Sequence, residues 1–243
     1  MKLFRSFSII FKSVSINFIN IVIHYPKMIY MSNHPEKYTR EQQYEYCTKL
    51  IRLLIDTCKI KIEIHGTENI PSEDGFYLCA NHQEKFDPLA LWYAFPRQIG
   101  VILNDEATHR PFIREVCKLI PSKKLKNSDL HSLVSSFSQI TKELKAKNNY
   151  LIFPEGWYET DYKQLSTFHS GCFKSPQRAH CPILPVALID SHNIFDKGYK
   201  TTRPIQIYIL KPVYPQEFNN MNTHEIAALV QSRIQEAVTL YQK

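Results

Sequence analysis

The stretch NHQEKFDP at 81–88 follows the apolar run FYLCA and places an amide, an imidazole and a carboxylate within seven residues. Four residues separate His82 from Asp87, so a tight loop or a first helical turn can return the carboxylate to one ring nitrogen. A histidine held that way keeps its other nitrogen as an acceptor, able to take a proton from a substrate hydroxyl. The same spacing also arises where Asp87 merely caps a helix beginning at Pro88. A second stretch, NYLIFPEG, ends another apolar run with Pro154, Glu155 and Gly156, in a chain that has only six glycines. A glycine after a carboxylate lets backbone N–H groups turn toward a ligand, while Glu155 can accept from hydroxyls; a plain Pro-Glu-Gly turn is the simpler alternative.

No G-x-S-x-G elbow supplies a serine nucleophile, and no second cluster of ligand spacing near His82 suggests a metal. The six cysteines, Cys47, Cys58, Cys79, Cys117, Cys172 and Cys181, form no CxxC pair. They read as reduced, mostly buried thiols of a cytosolic protein. Thirty Lys plus Arg against 23 Asp plus Glu give a net charge of +7, which suits an anionic membrane surface or phosphorylated substrates. Nucleic acid is not expected as a partner, because no RNA-recognition, zinc-finger or basic recognition-helix pattern occurs.

These residues need a scaffold, and the apolar pattern supplies one. Thr39 with Gln42 forms a capping box ahead of Cys47, Leu50, Leu54 and Cys58 at helical spacing. Strands are predicted at 60–64, 76–80, 98–103, 149–153, 183–189 and 205–210, with helices near 88–95, 110–119, 129–147 and 169–180 and a last one from Asn222 to about Tyr241. At 243 residues this alternation predicts one α/β domain, with a mixed, mostly parallel sheet flanked by helices.

Residues 1–30 stand apart as an apolar and basic segment, with 31–243 as the main domain. Only 13–26 are free of Lys and Arg, roughly 21 Å as a helix against a ~30 Å hydrocarbon core, so a transmembrane span is not expected. On a helix Phe7, Phe11, Val14, Phe18 and Ile21 would line one stripe, while Ile9, Ile16, Ile19 and Ile23 fall toward the other side. The segment fits either a membrane-docking helix or a helix packed on its own domain.

NHQEKFDP resembles the NHxxxxD block of the glycerolipid acyltransferase superfamily, the group that includes bacterial 1-acyl-glycerol-3-phosphate acyltransferases, and FPEG resembles the start of its FPEGTR block. NDEATHRPFIREVCKLIP resembles the segment between those blocks, and FHSGCFKSPQRAHCPILPVALID resembles the F-K-x-G stretch with its following P-I-x-P-V strand. Four matches in order are more specific than any one, and they span about residues 60–215. The resemblance implies His82 as base, Asp87 as its orienting carboxylate, and Glu155 and Gly156 at the acceptor. Trp157 and Tyr158 replace the usual Thr-Arg, and the usual phosphate-binding arginine is missing, which leaves Lys123, Lys124 and Lys126 as the nearest cations.

Acyl transfer from an acyl-CoA or acyl carrier protein thioester to a lysophospholipid hydroxyl is therefore expected, most simply to 1-acyl-glycerol-3-phosphate. No cofactor is expected, and the protein is placed peripherally on the cytoplasmic face of a membrane. Another lysolipid or glycerol-3-phosphate as acceptor, or a non-catalytic lipid-binding protein of the same fold, are the alternatives.

Overall fold

The computed structural model describes residues 18–125, 130–157, 162–195 and 203–242. Helix α1 (Phe18–Asn33) leads into α2 (Arg40–Thr57), whose capping box forms as the sequence predicts: Thr39 Oγ1 accepts from Gln42 N at 3.2 Å, and Gln42 Oε1 accepts from Thr39 N at 2.9 Å. Among the described residues seven strands follow, β1 (Ile62–His65), β2 (Tyr77–Ala80), β3 (Gly100–Asn104), β4 (Ser122–Leu125), β5 (Tyr150–Ile152), β6 (Ile183–Ile189) and β7 (Ile205–Ile209). They lie in the order β1-β7-β6-β2-β5-β3-β4, and the pairing of β6 with β7 alone is antiparallel. Strands β6, β2, β5, β3 and β4 therefore end at one rim of the sheet.

The sheet is covered on both faces. On one face α1, α2, α3 (Asp87–Ala94) and α4 (Ile113–Leu119) supply Met28, Ile51, Leu91 and Leu119 against Leu78, Leu151 and Val186. On the other, α5 (Leu130–Lys145) and α8 (Thr223–Tyr241) supply Leu144, Val230, Ile234 and Val238 against Tyr77, Tyr150 and Ala187. The short helices α6 (Lys174–Ala179) and α7 (Pro215–Phe218) complete this second layer. Strands buried on both sides read as unbroken apolar runs, which is why YLCA, YLI and ILPVALI carry no polar alternation.

Strand β4 is the element the pattern does not foretell. Its sequence SKKL lacks β-branched residues because it is an edge strand, where lysines discourage pairing with another chain. The helix expected over 169–180 divides into a 3₁₀ turn, Ser170–Phe173, and α6, which stops at His180 in the left-handed conformation (φ 50°).

Helix α1 runs through position 30, and its second half belongs to the core: Met28 and Met31 are buried, and the Tyr25 hydroxyl donates to Glu115 Oε2 at 3.1 Å. Those contacts set the rotation of the whole helix. The exposed stripe is consequently Ile19, Val22, Ile23, Pro26 and Tyr30; of the expected stripe Phe18 is also exposed, while Ile21 is half-buried. Its members Phe7, Phe11 and Val14 lie outside the described residues. Among the described residues no helix is long and apolar enough to cross a membrane.

Candidate active site

The rim where the parallel strands end carries both motifs. From β2 the chain crosses one face through α3 to β3, and from β5 it crosses the other through α6 to β6. Neighbouring strands whose connections diverge to opposite faces leave a crevice between the loops that follow them. The loop after β2 carries His82, and the loop after β5 carries Glu155.

Register places the two loops side by side. Cys79 pairs with Ile152, and the same offset of 73 residues brings the His82 N–H to Glu155 Oε1 at 2.7 Å. On the other flank Asn81 Nδ2 donates to the Leu188 carbonyl at 3.0 Å, and its Oδ1 accepts from the Leu188 N–H at 2.7 Å. The side chain of Asn81 thus continues the β2–β6 ladder past the end of β2. The residue before the imidazole is pinned to β6 and the imidazole's own amide to the β5 loop.

His82 Nδ1 meets Asp87 Oδ2 at 2.7 Å. That oxygen also accepts from Gln83 N at 2.6 Å and Glu84 N at 2.9 Å, so the carboxylate turns back over its own loop. The capping alternative does not describe it: Phe86 occupies the N-cap position and Pro88 the first turn, where a missing N–H costs nothing. An oxygen already receiving two backbone N–H groups has no proton to offer, so the proton of the His82–Asp87 bond belongs to Nδ1. Nε2 then carries the lone pair that can accept a hydroxyl proton. The His82 ring stacks on Phe153 with centroids 4.2 Å apart, and its side chain keeps 16% exposure while Asp87 is wholly buried.

Glu155 is a strut in this arrangement. Besides holding the His82 amide it accepts from Ser166 N at 2.8 Å through Oε2. Burial pushes its carboxyl above the usual carboxylate range, and these two amides oppose that rise. Gly156 (φ +74°) closes the turn, its N–H donating to the Phe153 carbonyl at 3.0 Å. A Cβ there would lie 3.1 Å from the His169 ring, so conformation and space both select glycine. Trp157 beside it is 63% exposed, and Tyr158 lies outside the described residues.

The lysines separate. Lys123 and Lys124 occupy successive positions of β4 and face opposite sides of the sheet. Lys123 Nζ is bound to Glu143 Oε1 of α5 at 2.6 Å, and the other Glu143 oxygen takes the Tyr150 hydroxyl. Lys124 is half-exposed, its nearest acidic partner being Asp105 Oδ1 at 3.8 Å. The register puts Lys124 beside Leu103, level with Phe153, three strand spacings or roughly 14 Å from β2. Lys126 lies outside the described residues.

No disulfide joins the six cysteines, and burial pushes the thiols of Cys172 and Cys181 up to about 12 and that of Cys117 to about 11. Those three are therefore thiols, not thiolate nucleophiles, at neutral pH.

Comparison with known proteins decides the class. The Acyltransferase family model matches residues 61–189, more than half of the 243-residue chain and inclusive of both motifs. The chain belongs to the Acyltransferase family. This acyltransferase is 25% identical over 224 residues to a probable 1-acyl-sn-glycerol-3-phosphate acyltransferase of Mycoplasma pneumoniae, covering 85% of the chain and 82% of the relative. It is 24% identical over 159 residues to the 1-acyl-sn-glycerol-3-phosphate acyltransferase of Borreliella burgdorferi, covering 65% and 63%.

Its fold is that of the crystallised 1-acyl-sn-glycerophosphate acyltransferase PlsC of Thermotoga maritima, with a TM-score of 0.74 at 21% identity over 98% and 96% of the two chains. The mixed, mostly parallel sheet and the resemblance expected from the sequence both hold for the acyltransferase.

Sequence reasoning left two residues of the site without a role. Asn81 and Gln83 flank His82 and are almost fully buried. An amide on each side of a histidine at a strand end is the signal that could have marked them.

Proposed function

We propose that the acyltransferase moves a fatty acyl group from an acyl thioester to the free hydroxyl of 1-acyl-sn-glycerol-3-phosphate, giving phosphatidic acid, with His82 as the general base. The observation that carries this reading is the 2.7 Å His82–Asp87 bond at the sheet rim, with the same Asp87 oxygen held by two backbone N–H groups of its own loop. The relatives' names support the acceptor.

In the reaction His82 Nε2 takes the hydroxyl proton as the oxygen attacks the thioester carbonyl. The C–O bond forms, the C–S bond breaks, and the departing sulfur recovers a proton from the imidazolium. Asp87 holds the reacting tautomer and stabilises the imidazolium charge. Glu155 acts through the His82 backbone, and Gly156 shapes the turn beside the acceptor. Coenzyme A and acyl carrier protein both present the thioester that this chemistry needs.

Lys124 is the cation assigned to the acceptor phosphate, because Lys123 is already neutralised by Glu143. Thiol release from acyl-CoA by purified protein tests the whole reading: it should require lysophosphatidate, and Lys124→Ala should raise the KM of that acceptor ~10-fold while changing that of uncharged 1-acylglycerol little. Release without acceptor would make the protein a hydrolase, and absence of release from acyl-CoA and acyl carrier protein alike would leave a lipid-binding protein. Equal effects on both acceptors would remove Lys124 from the phosphate role.

A lipid acceptor also gives the exposed stripe of α1 a use. We assign Ile19, Val22 and Ile23, exposed at 72%, 54% and 60%, to docking on an anionic membrane from the cytoplasmic side, with the basic residues of the N-terminal segment adding about 1 kcal/mol each near the surface. The paired change Val22→Asp and Ile23→Asp lies on the face away from Met28 and Met31, so the fold should persist. Vesicles containing phosphatidylglycerol should then retain at least ~10-fold less protein, and undiminished retention would place docking elsewhere.

A further inference from the structure

The two amides beside His82 have different anchors. Asn81 is tied to β6 alone, whereas Gln83, 2% exposed, uses both ends of its side chain to join distant parts of the chain. Its Oε1 accepts from Ser191 N and Ser191 Oγ, each at 3.1 Å, just beyond the end of β6, and His192 Nδ1 lies 3.4 Å away. Its Nε2 donates to Gln242 Oε1 at 3.0 Å, across 159 residues of sequence. Its backbone N–H is one of the three donors on Asp87 Oδ2.

Gln242 directly follows α8, and the last residue of that helix, Tyr241, lies flat on Tyr208 of β7, with centroids 3.9 Å apart and an interplanar angle of 5°. The end of α8 is therefore held at two points, one on the sheet and one on the loop that carries His82 and Asp87. We propose that Gln83 is a positioning residue, and that Tyr241 and Gln242 form a clasp acting through it to hold the His82–Asp87 pair in reacting geometry. The proposal rests on the reading of His82 as the base.

The physical reason lies in the number of fixed points. A buried amide with only its carbonyl end bound can still swing about that end, and its own backbone N–H moves with it. Bound at both ends, it fixes the direction of the Gln83 N–H, and with it the oxygen that orients the imidazole. Small displacements of a base from its substrate proton cost rate far more than binding, so the clasp should appear in kcat and not in KM. Packing of α8 through Ile226, Val230, Ile234 and Val238 makes the anchor rigid.

The test uses the full chain and leaves the catalytic loop untouched. Gln242→Leu removes the acceptor for Gln83 Nε2, whereas Gln242→Glu keeps an oxygen there; Tyr241→Ala frees the same helix end from β7. Rates are taken well below each variant's melting temperature, together with the low-field proton resonance of His82 Nδ1. Gln242→Leu and Tyr241→Ala should each lower kcat ~5- to 10-fold with the acceptor KM within about twofold, and should broaden the Nδ1 proton through faster exchange. Gln242→Glu should stay within about twofold of the parent. Unchanged kcat and an unchanged resonance in Gln242→Leu would overturn the clasp. The resonance reports on the clasp even if another group proves to be the base. A failed clasp is thus told apart from a failed base assignment, which would show as an active His82→Ala protein.

Discussion

Replacing His82 with alanine is expected to lower acyl transfer by ~100-fold to 10,000-fold while the protein stays folded. The loss follows from removing the group that this reading assigns to the hydroxyl proton. The fold should survive because the loop is held by bonds that the imidazole does not make: the His82 N–H to Glu155, Asn81 to Leu188, and Gln83 to Ser191. What goes includes the stack on Phe153 and one of three donors on Asp87, which together should cost about 2 kcal/mol of stability. Initial rates and thermal unfolding of the same preparation check both halves. A folded His82→Ala protein with a tenth or more of the parent rate would refute the base assignment.

Asp87 should respond differently to two substitutions, and the contrast separates its charge from its scaffolding. In Asp87→Asn the amide oxygen can take the place of Oδ2 and keep the three donors, while the amide nitrogen replaces Oδ1, which has no hydrogen-bond partner among the described residues. The loop should then persist with little loss of stability. The negative charge that favours the imidazolium is gone, and the rate should drop by about 100-fold or more. Asp87→Ala strands the buried Gln83 amide and the partly buried Glu84 amide as well, and should cost a further ~2–4 kcal/mol in chemical denaturation. If the asparagine variant kept the parent rate, orientation alone would be the role of Asp87.

Much of this arrangement was legible in the residues themselves. The capping boxes Thr39–Gln42 and Asn222–Glu225 form where their spacing demands, because a cap is a contact between residues three apart and owes nothing to the rest of the fold. The runs FYLCA, NYLIF and ILPVALI became strands because apolar stretches of that length suit a sheet covered on both faces. His82 and Asp87 were likewise a local matter, four intervening residues being enough to bring them together.

What depends on distant neighbours was not legible. Lys123 and Lys124 look equivalent side by side, yet alternation on β4 sends one to Glu143 and leaves the other half-exposed. That strand itself is set by pairing with β3 and not by its own propensity. Helix α1 shows the same division: its apolar residues allowed two stripes, and contacts of Tyr25, Met28 and Met31 with the domain chose the one that faces outward.

By itself, the sequence determined the α/β alternation, the two capped helix starts and the imidazole–carboxylate pair, each written in residues close enough to interact within one element or one loop. Only the tertiary structure decided that Glu155 would serve as a strut for His82, since the 73-residue offset between them is a consequence of β2–β5 register. It likewise decided that Gln83 would meet Gln242 across 159 residues. A hydrogen bond over that span exists only once the sheet has set its strand order and α8 has packed across it, and no local pattern encodes either.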